Sequence, residues 1–258
     1  MEPFVLPLRP FLVFLVVLAR VGGLVSFAPF WAHRAVSPPA RIVLAVIIAI
    51  ALTPIVMTKI QTPPSEVSDL VVVLTGEIVI GMLFGFVGRV AFTSFEYASH
   101  FLSSQMGFSL AGTIDPSTQA QTTAFGTVAQ MLALVTLLSV NGHHWFVAAT
   151  VKSFSTTSPG NFAMNAQLLD QVIRLSANAL SVGVSIAAPA IIVLLAVEFA
   201  LEFFGRTAPQ FQVFILGLPI KIIVGFWLLG VSIYFLSGVF RDVMGGVEQS
   251  LSAVLTNL

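Results

Sequence analysis

Long apolar runs, rather than alternating or amphipathic patterns, dominate this chain of 258 residues. A helix needs about 20 apolar residues to cross the hydrocarbon core of a bilayer. About six stretches approach that length, namely residues 10–31, 41–57, 70–91, 124–140, 180–199 and 213–240. The second is short, as in a tilted or re-entrant piece, and Pro219 with Gly225 should break or bend the last. We therefore predict an all-α membrane protein, a bundle of about six hydrophobic, partly kinked helices.

Turn-forming residues separate these stretches. Ser37-Pro38-Pro39 follows the first run, and residues 62–65 bring a second pair of prolines after the next. Residues 155–167 are rich in Ser, Thr, Pro, Gly and Asn, which predicts a solvated loop. The pattern shows neither a tandem repeat nor a composition shift, so we expect a single domain.

Composition and charge narrow the class of protein further. Hydrophobic residues make up 57% of the chain and charged residues 9%, with a mean hydropathy of +1.00. A soluble domain carries roughly 25% charged residues, so this surface must lie in lipid or inside an assembly. The 11 basic and 11 acidic residues are scattered, whereas nucleic-acid binding needs clustered Lys and Arg. Cysteine is absent, which excludes thiolate metal sites and Cys nucleophiles.

Six ionisable residues interrupt the apolar runs or lie beside them. Each costs about 2.5–3.5 kcal/mol on insertion scales, so each must face protein or water. Glu198, Glu202 and Arg206 are spaced i, i+4 and i+8, on one helix face. Pairing across helix or subunit interfaces is the favoured interpretation, and a proton or ion relay is the alternative. The six are Arg20, Glu77, Glu198, Glu202, Arg206 and Lys221.

A neutral polar insert, residues 103–123, lies between two apolar runs. It contains Asp115-Pro116 as a turn signal and almost no charge, whereas an external loop usually carries Lys or Glu. Such backbone suits the lining or plug of a water-filled cavity inside a bundle. Met106 and Phe108 would supply deformable and bulky apolar surface for a seal. An ordinary surface loop remains the alternative.

Two further features have mainly structural interpretations. Gly81, Gly85 and Gly88 lie nearly on one helix face, which predicts close helix packing. His143 and His144 follow Asn141-Gly142 at a helix end. Adjacent helical residues point apart, so we expect a cap or interface pair rather than metal ligands.

Sequence signatures of catalysis are missing. The dinucleotide-binding, phosphate-binding and nucleophile-elbow glycine motifs do not occur in this chain. Ser and His are present, but no pattern groups them. We therefore expect no enzyme, no cofactor and no metal.

Five ordered stretches resemble the FliR family of flagellar biosynthesis proteins, which has relatives in the injectisome export gate. One departure is visible, because Phe211 and Gln212 stand where the family commonly has Leu or Met and then Asn. The stretches are Arg20-Val-Gly-Gly-Leu24 with Pro29; Gln105-Met-Gly-Phe-Ser-Leu110 with Asp115-Pro116; Asn141-Gly-His-His144 with Ser153-Phe154 and Pro159; Ala187-Ala-Pro189; and Gly205-Arg206 through Pro209-Gln210, Val213-Phe214, Gly217, Pro219 and Lys221 to Gly225.

The resemblance implies a structural subunit of the flagellar type III protein-export gate, in the bacterial inner membrane at the basal body. It implies a FliP-like part (1–175) followed by a FliQ-like part (176–258), assembly with FliP and FliQ, further contacts with FlhB and FlhA, lipid around the complex, and unfolded export substrates in transit. The implied pore plug comprises Gln105, Met106, Gly107, Phe108, Ser109, Leu110, Asp115 and Pro116. Pro209 and Gln210 join the six ionisable residues as implied polar contacts.

Rival functions remain open at this stage. A solute permease acting alone could use Glu198, Glu202 and Lys221 as its substrate or proton site, although such transporters usually show internal repeats. A lipid-modifying enzyme would need clustered His and Asp at a membrane face. The sequence leaves open the topology and the copy number. It also leaves open whether Arg20, Glu77 and Lys221 pair within the chain or between subunits.

Overall fold

A computed structural model of the chain describes residues 8–32, 36–58, 67–108, 124–139, 141–162, 165–207 and 213–257. Throughout these ranges the regular structure is helical, without a strand, which confirms the all-α prediction. Seven helices follow one another: α1 (Leu8–Phe27), α2 (Pro38–Met57), α3 (Val67–Gln105), α4 (Ala124–Ser139), α5 (Gly142–Thr156), α6 (Ala166–Thr207) and α7 (Val213–Asn257).

Three of the helices are much longer than their apolar runs. α3 has 39 residues, α6 has 42 and α7 has 45. The residues that flank the apolar runs are too polar to be recognised by hydropathy, although they are helical. Helix α7 continues past Pro219 and Gly225, so these residues do not break it, and the bend expected there stays a prediction.

One helix was missed altogether. α5 contains two His, a Lys and several Ser and Thr, so its 15 residues lack a membrane-length apolar run. It replaces the first part of the loop expected at 155–167, and α6 then begins at Ala166. Asn141 precedes α5 with a φ of 55°, in the left-handed region. Asn tolerates that conformation better than most residues, which explains how α4 and α5 are separated by so few residues.

Other helix starts follow from the local sequence. Pro38 and Pro39 occupy the first turn of α2, where the missing N–H groups would be unpaired in any helix. The Asn165 side chain accepts a hydrogen bond of 2.7 Å from the backbone N–H of Leu168 and thereby caps α6.

Four helices of the described part are long and apolar enough to span a membrane. They are α1, α2, α3 from Ser68 onward, and α6. α4 and α5 together would make a fifth span if they are counted as one broken helix. These helices agree with the predicted membrane class.

The described residues form two compact units. The first comprises those up to Val90, those of 141–175 and those from Gly245 onward, whereas the second comprises those of 91–140 and 176–244. Each unit therefore combines segments that are distant in sequence. The proposed division at residue 175 into FliP-like and FliQ-like parts stays a prediction.

The core of the first unit lies between α1 and α2. Buried side chains recur every three or four residues on both helices, as expected of two helices in contact. Phe154 of α5 joins them. The helical members are Val13, Val16, Val17, Val21 and Val25 on α1, and Ala45, Ala49, Leu52 and Val56 on α2.

Glycines bring α1 and α3 into backbone contact. A Cβ on Gly81 would overlap the carbonyl of Arg20, and one on Gly23 would overlap the carbonyl of Ile78. A Cβ on Gly85 would lie 2.6 Å from the Cβ of Phe27. The predicted glycine face of α3 is therefore confirmed as a close-packing surface.

In the second unit, Met106 at the end of α3 and Leu194 of α6 are fully buried. Leu102, Phe108, Val224 and Leu228 pack around them. Farther along the same pair of helices, a Cβ on Gly183 would lie 2.8 Å from the carbonyl oxygen of Ser94. Helices α3 and α6 therefore also approach closely.

Candidate functional site

The first polar site, the arginine cluster, consists of Arg20, Glu77, Ser153 and Phe154. The Arg20 Nε donates to the Glu77 carboxylate at 2.5 Å, and its Nη1 donates to the Ser153 hydroxyl at 2.6 Å. The guanidinium lies 3.7 Å from the centre of the Phe154 ring. Both charged side chains are buried, at 0% and 1% exposure. One cation is thus held by a carboxylate, a hydroxyl and an aromatic face.

Three helices supply this cluster, namely α1, α3 and α5. The backbone contact at Gly23 and Gly81 sets the short distance between Arg20 and Glu77. The Ser153 hydroxyl in turn donates to the carbonyl of Thr150 at 2.6 Å. A buried pair with these partners locks helix positions, because separating the charges would leave each desolvated and unpaired.

The second polar site, the Glu198 cluster, consists of Gln105, Glu198 and Lys221. The Lys221 ammonium donates to one Glu198 oxygen at 2.7 Å, and the Gln105 amide donates to the other at 3.0 Å. The Lys221 side chain is 17% exposed and that of Glu198 37%. The cluster ties the end of α3 to α6 and α7, within the second unit.

Beside this cluster, Met106 fills a notch on α7. A Cβ on Gly225 would lie 2.5 Å from the Met106 sulfur and 2.7 Å from its Cγ. Only glycine leaves that space, and Met106 is fully buried there. Gly107 follows with a φ of +90°, and a Cβ on it would lie 2.8 Å from a methyl group of Leu218.

The structure therefore answers the pairing question left open by the sequence. Arg20 pairs with Glu77, and Lys221 pairs with Glu198, in both cases within the chain. Glu202 and Arg206 are exposed, and no ion pair joins them despite their favourable spacing. The remaining predicted residues lie outside the described ranges: Ser109, Leu110, Asp115, Pro116, Pro209 and Gln210. The functional roles assigned to all these residues stay predictions.

Sequence reasoning also missed partners. Ser153 and Phe154 were noticed only as part of a family pattern, because their helix was not predicted. A Ser-Phe pair three residues after Thr150 gives no warning that a buried arginine contacts it. Gly225 was noticed only as a residue that could break or bend α7, and the room that it leaves for Met106 was missed.

The paired histidines differ from expectation. Their rings lie 4.2 Å apart, centre to centre, so the prediction that they point apart is wrong. Both lie in the first turn of α5, where no preceding turn restricts the side chains. Among the described residues, no group of three or more His, Asp or Glu is arranged to hold a metal ion.

Comparison with known proteins identifies the family. The family described as "Bacterial export proteins, family 1" matches residues 11–247. The flagellar biosynthetic protein FliR of Caulobacter vibrioides is 33% identical over 231 residues, covering 88% of this chain and 90% of that protein. FliR of Bacillus subtilis is 33% identical over 247 residues, covering 94% of each chain.

A more distant relative is named as a translocation protein rather than as a flagellar protein. The Yop proteins translocation protein T of Yersinia pestis is 27% identical over 162 residues, which is 62% of each chain. The match to the family covers most of the chain, and the FliR proteins are similar along nearly their whole length. The chain therefore belongs to the bacterial export proteins, family 1, together with the FliR proteins of flagellar biosynthesis.

Proposed function

We propose that this chain is a structural subunit of the flagellar type III protein-export gate, in the bacterial inner membrane. It assembles with FliP and FliQ around the channel for unfolded export substrates and performs no catalysis. The observation that carries the proposal is the pairing of intramembrane charges. Arg20 and Glu77 form an ion pair inside a packed core, where neither is accessible to a solute or an ion. Such a pair is expected of a subunit with a structural role.

Helix length supports a role in a large assembly. α3 has 39 residues, α6 has 42 and α7 has 45, whereas about 20 residues are enough to cross a bilayer core. Each of these helices therefore extends over more residues than one crossing needs. Such extensions suit an assembly that continues past the membrane surface, where FlhB and FlhA are the further partners proposed.

We also propose that residues 105–123 close the channel until a substrate arrives. The support comes from the described start of this segment, since Gln105 and Met106 are fixed on α6 and α7. A plug needs one end held firmly if it is to return to the same place. The division into a FliP-like part (1–175) and a FliQ-like part (176–258) belongs to the same proposal.

Co-purification tests the assembly. The tagged chain, extracted from its own membrane in mild detergent, should bring with it several copies of two smaller hydrophobic proteins. The proposal would be abandoned if the chain were isolated alone, stable, and able to transport a small solute in vesicles. That outcome would instead favour the permease.

Ion conductance tests the plug. Replacing residues 109–121 by a Gly/Ser linker of equal length should make vesicles containing the purified complex leaky to ions, because most of the segment that is proposed to close the channel is then replaced. The replacement leaves Gln105, Met106 and Gly107 unchanged, so the hydrogen bond from Gln105 to Glu198 and the packing of Met106 are kept. Unchanged conductance in a complex of unchanged composition would show that these residues do not close the channel.

A further inference from the structure

Side-chain and backbone contacts hold the C-terminal end of α3, next to the neutral polar insert, against α6 and α7. We propose that Glu198 is a positioning residue, which together with Lys221 and Gly225 holds Gln105 and Met106 as a fixed anchor while substrates pass. The proposal rests on the proposed export-gate function. It adds that Gln105 and Met106 keep their contacts with α6 and α7 during export.

The polar half of the anchor uses both oxygens of one carboxylate. Lys221 of α7 occupies the first oxygen, and Gln105 of α3 occupies the second. The ammonium group fixes the orientation of the carboxylate, so the second oxygen faces α3. Hydrogen bonds to charged groups are stronger than neutral ones, particularly where the side chains are partly shielded from water.

The apolar half of the anchor is a fit between Met106 and Gly225. The Met106 side chain lies where any other residue at 225 would place its Cβ. Leu194 of α6 completes the site and is itself fully buried. The anchor thus combines the packing of Met106 with the hydrogen bond from Gln105 to Glu198, and both contacts hold α3 against α6 and α7.

The backbone at the end of α3 is also fixed. The N–H of Phe108 donates to the carbonyl of Ser103 at 3.0 Å, and the N–H of Gly107 donates to that of Ser104 at 3.1 Å. With Gly107 at a positive φ, these two bonds form a Schellman motif, which ends a helix in a defined direction. The chain therefore leaves α3 along a path set by Gly107.

The first experiment neutralises the centre of the anchor. Glu198→Gln keeps the shape of the side chain but removes the charge that holds Lys221 and strengthens the Gln105 bond. We expect roughly a tenfold rise in ion leak through the purified complex in vesicles, corresponding to the loss of one charge-assisted hydrogen bond. Export of flagellar protein into the medium should persist. The control is Asp170→Asn, the same chemical change at an exposed position of α6.

A second variant covers the case in which Glu198→Gln does not assemble. Gln105→Ala removes only the α3 side of the cluster and leaves the Lys221–Glu198 pair intact. It should also raise the leak. If either variant assembles normally and is as tight as the unmodified chain, Glu198 does not position the gate.

A disulfide tests whether the anchor stays fixed. The chain contains no cysteine, so Met106→Cys with Gly225→Cys would introduce a single pair of thiols. A Cβ at 225 lies 2.7 Å from the Cγ of Met106, which places the two Cβ atoms within roughly 4.2 Å of each other. Disulfides span Cβ distances of about 3.5–4.5 Å, so the pair should form on mild oxidation.

Oxidised complexes should still export, because the anchored residues need not separate. Adding the disulfide to Glu198→Gln should restore a tight gate, and a reducing agent should bring the leak back. Met106→Cys alone shortens the side chain that contacts Gly225 and forms no disulfide, so it should leak under both oxidising and reducing conditions. Loss of export on oxidation, or a leak that the disulfide does not suppress, would overturn the anchor. These outcomes differ from a failure of the proposed channel closure itself. In that case replacement of residues 109–121 would cause no leak either.

Discussion

At the scale of single residues, four charges that lie within the apolar helices form two ion pairs inside the chain, Arg20–Glu77 and Lys221–Glu198. Arg20 contacts Glu77, Ser153 and Phe154. Of its three guanidinium nitrogens, Nε and Nη1 donate hydrogen bonds, whereas Nη2 has no hydrogen-bond partner among the described residues. Burying a charge is costly unless it is paired and hydrogen-bonded. The cluster therefore contributes less through net attraction than through the penalty on any arrangement that separates its members.

Removing one partner of this pair should be severe. Glu77→Ala leaves the Arg20 guanidinium buried without its carboxylate, and breaking a buried pair in this way costs about 3–5 kcal/mol. We expect a large drop in the thermal stability of the purified protein and in its amount in the membrane. Thermal unfolding in detergent and immunoblotting of membranes measure the two effects.

The exposed pair provides the matched control. Arg174 and Asp170 lie 2.6 Å apart in α6, with side chains 79% and 59% exposed. Surface pairs contribute little because water screens them, so Arg174→Ala should leave the melting temperature unchanged. Equal effects of the two substitutions would contradict the role assigned to burial.

At the scale of helices, close packing depends on where glycine replaces a side chain. Gly81 and Gly85 let α3 lie directly on α1. A Cβ on Gly88 would lie 2.6 Å from the Phe146 ring of α5. In lipid, association of helices relies on packing contacts rather than on expulsion of water. Small residues on one face therefore decide which helices become neighbours.

Two glycine substitutions separate packing from helix propensity. Gly81→Ala places a methyl group against the carbonyl of Arg20 and should destabilise the protein by about 1–3 kcal/mol through overpacking. Gly22→Ala, adjacent in sequence to Gly23 but on a different side of α1, meets nothing within 4 Å. It should be neutral or slightly stabilising, because alanine favours helix by about 1 kcal/mol over glycine. Denaturant or thermal unfolding of both variants would show the difference, and a stabilising Gly81→Ala would refute the close contact.

At the scale of the whole molecule, much of the surface is apolar. Ile192 and Phe199 of α6 and Trp227 of α7 are 65%, 71% and 66% exposed. Many other large apolar side chains of the described residues are also exposed, which is unusual for a soluble monomer. Lipid or other subunits must therefore cover these helices.

Thiol labelling tests this coverage. Ile192→Cys should resist a membrane-impermeant maleimide in open membrane fragments, because its thiol is shielded from water. Asp170→Cys, at an exposed position of the same helix, should react readily. Both should react after denaturation in strong detergent. A reactive Ile192→Cys in the native membrane would mean that this face of α6 borders water.

Much of the architecture was predictable from hydrophobic patterning. The membrane class, the all-α fold and the starts or ends of α1, α2 and α4 follow from runs of about 20 apolar residues. The glycine face of α3 was also visible, since its spacing matches a helix. α5 and the polar extensions of α3, α6 and α7 were not, because Ser, Thr, His and Lys weaken the apolar signal without preventing a helix.

The sequence predicted which charged residues belong to the candidate sites, but not which of them pair with one another. Arg20, Glu77, Glu198 and Lys221 stood out because an ionisable group inside an apolar run requires a partner. Their pairing could not be read from spacing, since Arg20 and Glu77 are 57 positions apart. The same limit hid Ser153 and the notch at Gly225.

The sequence by itself determined that this chain belongs in a membrane, that it is helical, and that its buried charges need partners, because transfer free energies and helical periodicity are local properties of residue type. The tertiary structure alone decided which partners meet. Arg20 finds Glu77 because glycines bring α1 and α3 together, and Met106 is held because α7 presents Gly225 beside Lys221. Contacts between distant segments depend on the shape of the packed helices, which no short stretch of sequence contains.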